Sequence, residues 1–190
     1  MPQDMVTGLV NSFGGPILVD LGKRVGLPES TVKMVTPIVI GLVIAGIKRL
    51  ATQSGGVDQV NSLLQGASDR MGARDLDTFV QEADPAKTAA TLDALTGSNS
   101  SEQVVDNLAR VTKQDPHTIA TLLGVMCPAV LSQVNSIAKD QGLDTQGLVN
   151  LIDQNADALK GLGNIDYILD DVPGISDDLK RGLNKLFGRG

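Results

Sequence analysis

The sequence predicts an all-α protein, a compact multihelical array of short helices. Three observations carry that expectation. Apolar residues recur three and four apart among Gln, Asp and Lys, the period of a helix with one buried face. Val, Ile and Thr nowhere alternate with polar residues over a strand length bounded by hairpin turns. The 21 glycines and 8 prolines punctuate the periodic stretches, as helix breakers do.

The first helix is expected over 4–13, where Met5, Leu9 and Phe13 share one face. Gly14-Gly15-Pro16 should break it. The second runs over 17–25 with Ile17, Leu18, Leu21 and Val25 on one stripe, and Gly26 supplies a left-handed C-terminal residue. The third starts near Pro28–Ser30 and continues to about Thr52. Pro37 lies inside it, removes one ladder hydrogen bond and should kink or break the helix. Gly55-Gly56 closes that segment, and a helix follows from Val57 to about Ala67 with Val60, Leu63 and Leu64 apolar.

The stretch 68–102 is more polar. Asp75–Gln81 reads as one or two helical turns around Leu76, Phe79 and Val80. Asp84-Pro85 is an N-cap followed by a first-turn proline, opening a helix through Leu92 and Leu95 to Gly97. Ser100 with Gln103 has capping-box spacing ahead of Val104, Val105, Leu108 and Val111. Asp115-Pro116 opens the longest late helix, 116–139, which again carries an interior proline, Pro128. Asp144 caps a helix whose apolar face is Leu148, Val149, Leu151 and Ile152. A short helix is expected over Asn164–Asp171. Ser176 caps a last one over 176–187, with Asp177 and Asp178 in its first turn and Lys180, Arg181 and Lys185 later, the order the helix dipole favours.

Two stretches resemble one another, about 17–68 and 100–155. Each holds a short helix, a capped helix with an interior proline, a glycine break and an amphipathic helix. The two prolines of each copy are spaced differently (Pro28 and Pro37, then Pro116 and Pro128), so any duplication is degenerate. The expected organisation is an N-terminal helical appendage at 1–16, a helical domain at 17–155 and a C-terminal helical tail at 156–190. Either appendage could dock on a neighbouring subunit.

Leu92, Leu95 and Gly97, then Val104 and Leu108, then Ile119, Leu122 and Leu123, then Cys127-Pro128-Ala129-Val130-Leu131 form a recognisable series. It is a leucine-rich helix ending in Gly, a short helix, and a helix with a leucine pair ahead of a Pro-x-Val-Leu step. This series resembles the bacterial domain-of-unknown-function family 937, which is similar to the YidB-like proteins. The likeness extends over 17–152. The chain departs from the family pattern at Thr112-Lys113-Gln114, where Ser-Gly-Leu is common. The resemblance implies a compact multihelical fold and brings no catalytic or binding residues.

Composition narrows function without naming it. The chain has 190 residues, 42% of them apolar and 20% charged, too apolar for a disordered chain. One Cys, one His and no Trp exclude a disulfide scaffold, a Cys/His zinc site and base-stacking platforms. A net charge of −6 disfavours nucleic acid and anionic membrane surfaces. Lys23-Arg24, Lys48-Arg49 and Lys180-Arg181 sit within or near the ends of expected helices, where cations meet the negative dipole end. Residues 1–13 contain Asp4 and no basic residue, so no signal peptide is expected, and one Cys fits a cytoplasmic location. Met34–Ile47 is uncharged over fourteen residues; a bilayer span needs ~20, so a membrane role is not expected.

No catalytic, metal or cofactor-binding residue is expected. His117 and Cys127 lie ten residues apart on one helix, about 15 Å of rise, too far for a nucleophile–base pair. Cys127 sits among Leu122, Leu123, Val125 and Met126 and should be an inert core thiol. Asp75/Asp77, Asp170/Asp171 and Asp177/Asp178 read as caps and solvated faces, since near neighbours on a helix point in different directions. Gly161-Leu162-Gly163 is too short for a phosphate loop. Gly41 and Ala45, with Gly46 nearby, make a small-residue face that can pack inside the domain or against another subunit. Because Met34–Ile47 is apolar all round, it is the strongest sequence pointer to self-association. The expected function is a non-enzymatic helical protein acting through protein–protein contacts, as a homo-oligomer or with another helical protein. The alternative is a carrier of a small apolar ligand or lipid.

Overall fold

A computed structural model describes residues 5–13, 15–71, 81, 85–97 and 101–155. Among these are eight α-helices and no strand: α1 (Met5–Ser12), α2 (Gly15–Val25), α3 (Glu29–Ala51), α4 (Gly56–Met71), α5 (Pro85–Thr96), α6 (Ser101–Thr112), α7 (Pro116–Asp140) and α8 (Thr145–Gln154). The all-α expectation holds. The helices expected over 164–171 and 176–187, and the turns over 75–81 apart from Gln81, lie outside the described residues.

Local chemistry sets the boundaries. The Asp115 carboxylate accepts the Thr118 N–H and Pro116 takes the first helical position of α7. Asp144 does the same for α8 through the Gly147 N–H. The expected break at Gly14-Gly15-Pro16 is shorter than the residues suggest. Gly15 and Pro16 begin α2, because a proline in the first turn gives up no needed N–H.

Neither interior proline breaks its helix. α3 runs unbroken through Pro37 and α7 through Pro128. The amide each proline lacks would have served the carbonyl four residues back, on Lys33 or Gly124. Lys33 is exposed and Gly124 half-buried. The cost of an interior proline is about 3 kcal/mol. It is outweighed by packing, since most of α3 and about half of α7 are buried.

α3 and α7 pack on each other at the centre of the core, and every other helix packs on at least one of them. The apolar run Met34–Ile47 is covered by its own chain; only Met34 is exposed. Helix α1 is part of the same core. Met5, Leu9 and Phe13 are buried in the main cluster, α1 packs on α7, and the Met5 N–H donates to Asn155 Oδ1 at 3.1 Å. The apolar stripe of α1 is covered within the chain, because α7 offers it an apolar surface.

The internal likeness has a definite register. Gly26 and Lys113 both have positive φ (75° and 56°), as do Gly55 and Gly142 (72° and 64°), and the same shift of 87 relates the members of each pair. The first pair closes the same turn. Leu27 N–H donates to Gly22 O at 2.8 Å, and Gln114 N–H donates to Ala109 O at 2.9 Å, the six-to-one bond of a helix ended by a left-handed residue. Burial follows the same shift: ten of the twelve buried positions of α7 match a buried position of α3 when moved by 87. In this register Pro37 and Pro128 are not equivalent; they are about one helical turn out of step.

The two halves interlock. α4 lies mainly along α7, and α8 packs on α3, so the last helix of each half covers the long helix of the other. Asn135 Nδ2 donates to Ser68 Oγ at 2.7 Å and Thr145 Oγ1 donates to Asn61 Oδ1 at 2.8 Å. Lys48 pairs with Asp153 across α3 and α8.

Candidate functional site

Among the described residues, those with chemistry do not converge. His117 is exposed in the first turn of α7, while Cys127 is buried farther along the same unbroken helix. Burial pushes the Cys127 thiol up from its ordinary 9.0 to about 12, so it stays protonated and unreactive at neutral pH. No group of three or more His, Cys, Asp or Glu side chains is arranged to hold a metal among the described residues. Asp75/Asp77, Asp170/Asp171, Asp177/Asp178, Gly161–Gly163 and Lys180-Arg181 lie outside them.

Arg24, Lys48 and Arg49 of the described basic clusters bond within the chain. Arg24 pairs with Asp20 at 2.9 Å. Arg49 Nη2 donates to Ala94 O at 2.6 Å and Nε donates to Leu95 O at 3.2 Å. Its guanidinium thus closes the C-terminal end of α5, where free carbonyls and the negative dipole end attract a cation. Gly97, at φ 77°, makes room for it: a Cβ there would sit 2.5 Å from Arg49 Nη1. Sequence spacing could not show this contact, since its partners are 45 and 46 residues apart.

The small-residue face of α3 packs within the chain. A Cβ on Gly46 would come within 2.7–3.0 Å of Leu95, so this glycine lets α5 approach closely. Gly41 and Ala45 are buried as well.

Two surface features stand out among the described residues. A groove of about 190 Å³ between α5, α6 and α7 is lined by Thr88, Ala89, Leu92, Val105 and Ala120, with Ser101 and Glu102 completing the wall. Among the described residues the large apolar side chains left exposed are Ile17 (47%), Met34 (43%) and Val57 (46%). All three lie in the first half. Moved by 87 they fall on Val104, which is buried at 2%, on Thr121, and on Asp144, the cap of α8.

A family model described as a bacterial protein of unknown function, DUF937, matches residues 8–132 and matches again over 93–189. The chain belongs to the DUF937 family. The two matches overlap over 93–132. No curated protein and no solved structure matches this chain.

Proposed function

We propose that this DUF937 protein is a non-enzymatic contact module that binds other proteins, first of all a second copy of itself, through the outer surface of its first half. The observation that carries it is the asymmetry between the halves. Positions that are buried, polar or capping in the second half bear exposed Ile17, Met34 and Val57 in the first. A contiguous exposed apolar patch marks an interaction site, and the proposal takes these three side chains as parts of one. The apolar run of α3, covered by its own chain, contributes only Met34 to this surface.

Carriage of a small apolar ligand is the second reading, favoured by the apolar groove between α5, α6 and α7. Ligand pockets typically enclose roughly 300–1,000 Å³, and this groove holds about 190 Å³, so contact with a protein is preferred. The test is light scattering of the full chain over a wide concentration range, beside the double variant Ile17→Asp, Met34→Asp. An oligomer in the parent that the variant loses supports the proposal. A parent that stays a monomer at all concentrations, or an oligomer that the variant leaves unchanged, refutes self-association through this surface.

A further inference from the structure

The groove and two of the exposed apolar side chains lie at matching corners of the two halves. α2 and α3 meet at a turn with Gly26 in the left-handed region, and α6 and α7 meet at the equivalent turn with Lys113. The shift of 87 carries α2 onto α6 and α3 onto α7. In the second half this corner is hollow. Val105 of α6 and Ala120 of α7 line the groove, and α5 supplies the far wall through Ala89 and Leu92. In the first half the counterparts of Val105 and Ala120 are the larger Leu18 and Lys33. Their chain neighbours Ile17 and Met34 stand out into solvent. One half therefore carries a knob at the corner where the other is hollow.

Size and charge match the two. A cavity of about 150 Å³ takes a benzene-sized group, so the groove, at about 190 Å³, takes one large apolar side chain. Methionine suits it, because an unbranched thioether adapts to an irregular gap. The charged residue of the groove wall is Glu102, which is exposed and forms no ion pair among the described residues. The knob carries the opposite sign, since Lys33 stands next to Met34. Lys33 pairs with Glu29 at 2.5 Å with both side chains exposed, a contact that holds it only weakly. Within one chain the two features do not meet, because Ile17 and Met34 remain exposed.

We infer that the groove between α5, α6 and α7 receives Met34 of a second copy, with Lys33 of that copy against Glu102 and Ile17 adding apolar contact. This names the receiving surface for the self-association proposed above, and rests on that reading. The giving and receiving surfaces differ, so a copy that lacks one still offers the other.

Complementation between two variants tests it, in the full chain, by light scattering and native mass spectrometry. The knob variant is Ile17→Asp, Met34→Asp. The groove variant is Val105→Leu, Ala120→Lys, which places at the hollow the residue types that the first half carries at its own corner. Each variant alone is expected to associate at least about tenfold more weakly than the parent. Mixed, they should form pairs of unlike copies, the intact knob of one in the intact groove of the other. If the groove variant does not fold, Glu102→Lys, at an exposed position, should weaken association several-fold, and mixing with Lys33→Glu should restore it. A groove variant, or Glu102→Lys, that associates like the parent overturns this inference and leaves the earlier reading standing. So does a mixture without unlike pairs. A parent that stays monomeric removes both.

Discussion

Lys113 offers the sharpest test of the register between the halves. It is the described non-glycine residue with positive φ (56°), and its counterpart is Gly26 at 75°. A side chain in the left-handed region costs about 1–2 kcal/mol. Glycine removes that cost but gives back roughly 0.4–1 kcal/mol of unfolded-chain entropy. The Lys113 side chain is exposed, so little packing is lost. Lys113→Gly should therefore stabilise the protein by about 0.5–1 kcal/mol, a rise in Tm of roughly 1–4 °C for a domain of this size. Gly26→Lys should destabilise by a similar amount. The double variant should lie near the parent, because substitutions in separate turns add. Urea and thermal unfolding followed by far-UV circular dichroism give all four values. If Lys113→Gly is destabilising, or Gly26→Lys is neutral, the two turns are not equivalent and the register is wrong.

Two further outcomes follow from contacts inside the fold. Gly97→Ala places a methyl in a left-handed position and against the Arg49 guanidinium; it should cost about 2–3 kcal/mol by urea unfolding, combining backbone strain with a weakened charged hydrogen bond, whereas a loss under ~0.5 kcal/mol would mean Arg49 does not close α5. Cys127 has its pKa raised by burial to about 12, so the folded chain keeps a proton that the unfolded chain releases above about pH 9. Its contribution is present below pH 9 and is lost as pH rises toward 12, falling by about 1.4 kcal/mol per pH unit. The stability difference between the parent and Cys127→Ala should shift with pH in that window and be flat below pH 8; a flat difference throughout would show the thiol is not desolvated.

Helix ends were legible wherever a cap and a first-turn proline stood together, as at Asp115-Pro116. The stripe Met5, Leu9, Phe13 was legible as an apolar face, but not as a piece of core. Periodicity shows which side of a helix avoids water and not what covers it. The same gap misplaced Met34–Ile47 as a pointer to self-association, when the cover comes from helices of the same chain. The duplication was legible to within a residue at Pro28/Pro116 and Gly56/Gly142, but Pro37 and Pro128 are not a matching pair. The left-handed turns that fix the register include Lys113, and a lysine carries no sequence signal of positive φ. Arg49 closing α5 was invisible, since that contact joins residues about 45 apart.

The crossed packing of α4 on α7 and α8 on α3 ties each half to the other. A half cut out of the chain would bare its long helix along the side its sister covers, so the two halves are expected to unfold in one transition rather than in turn.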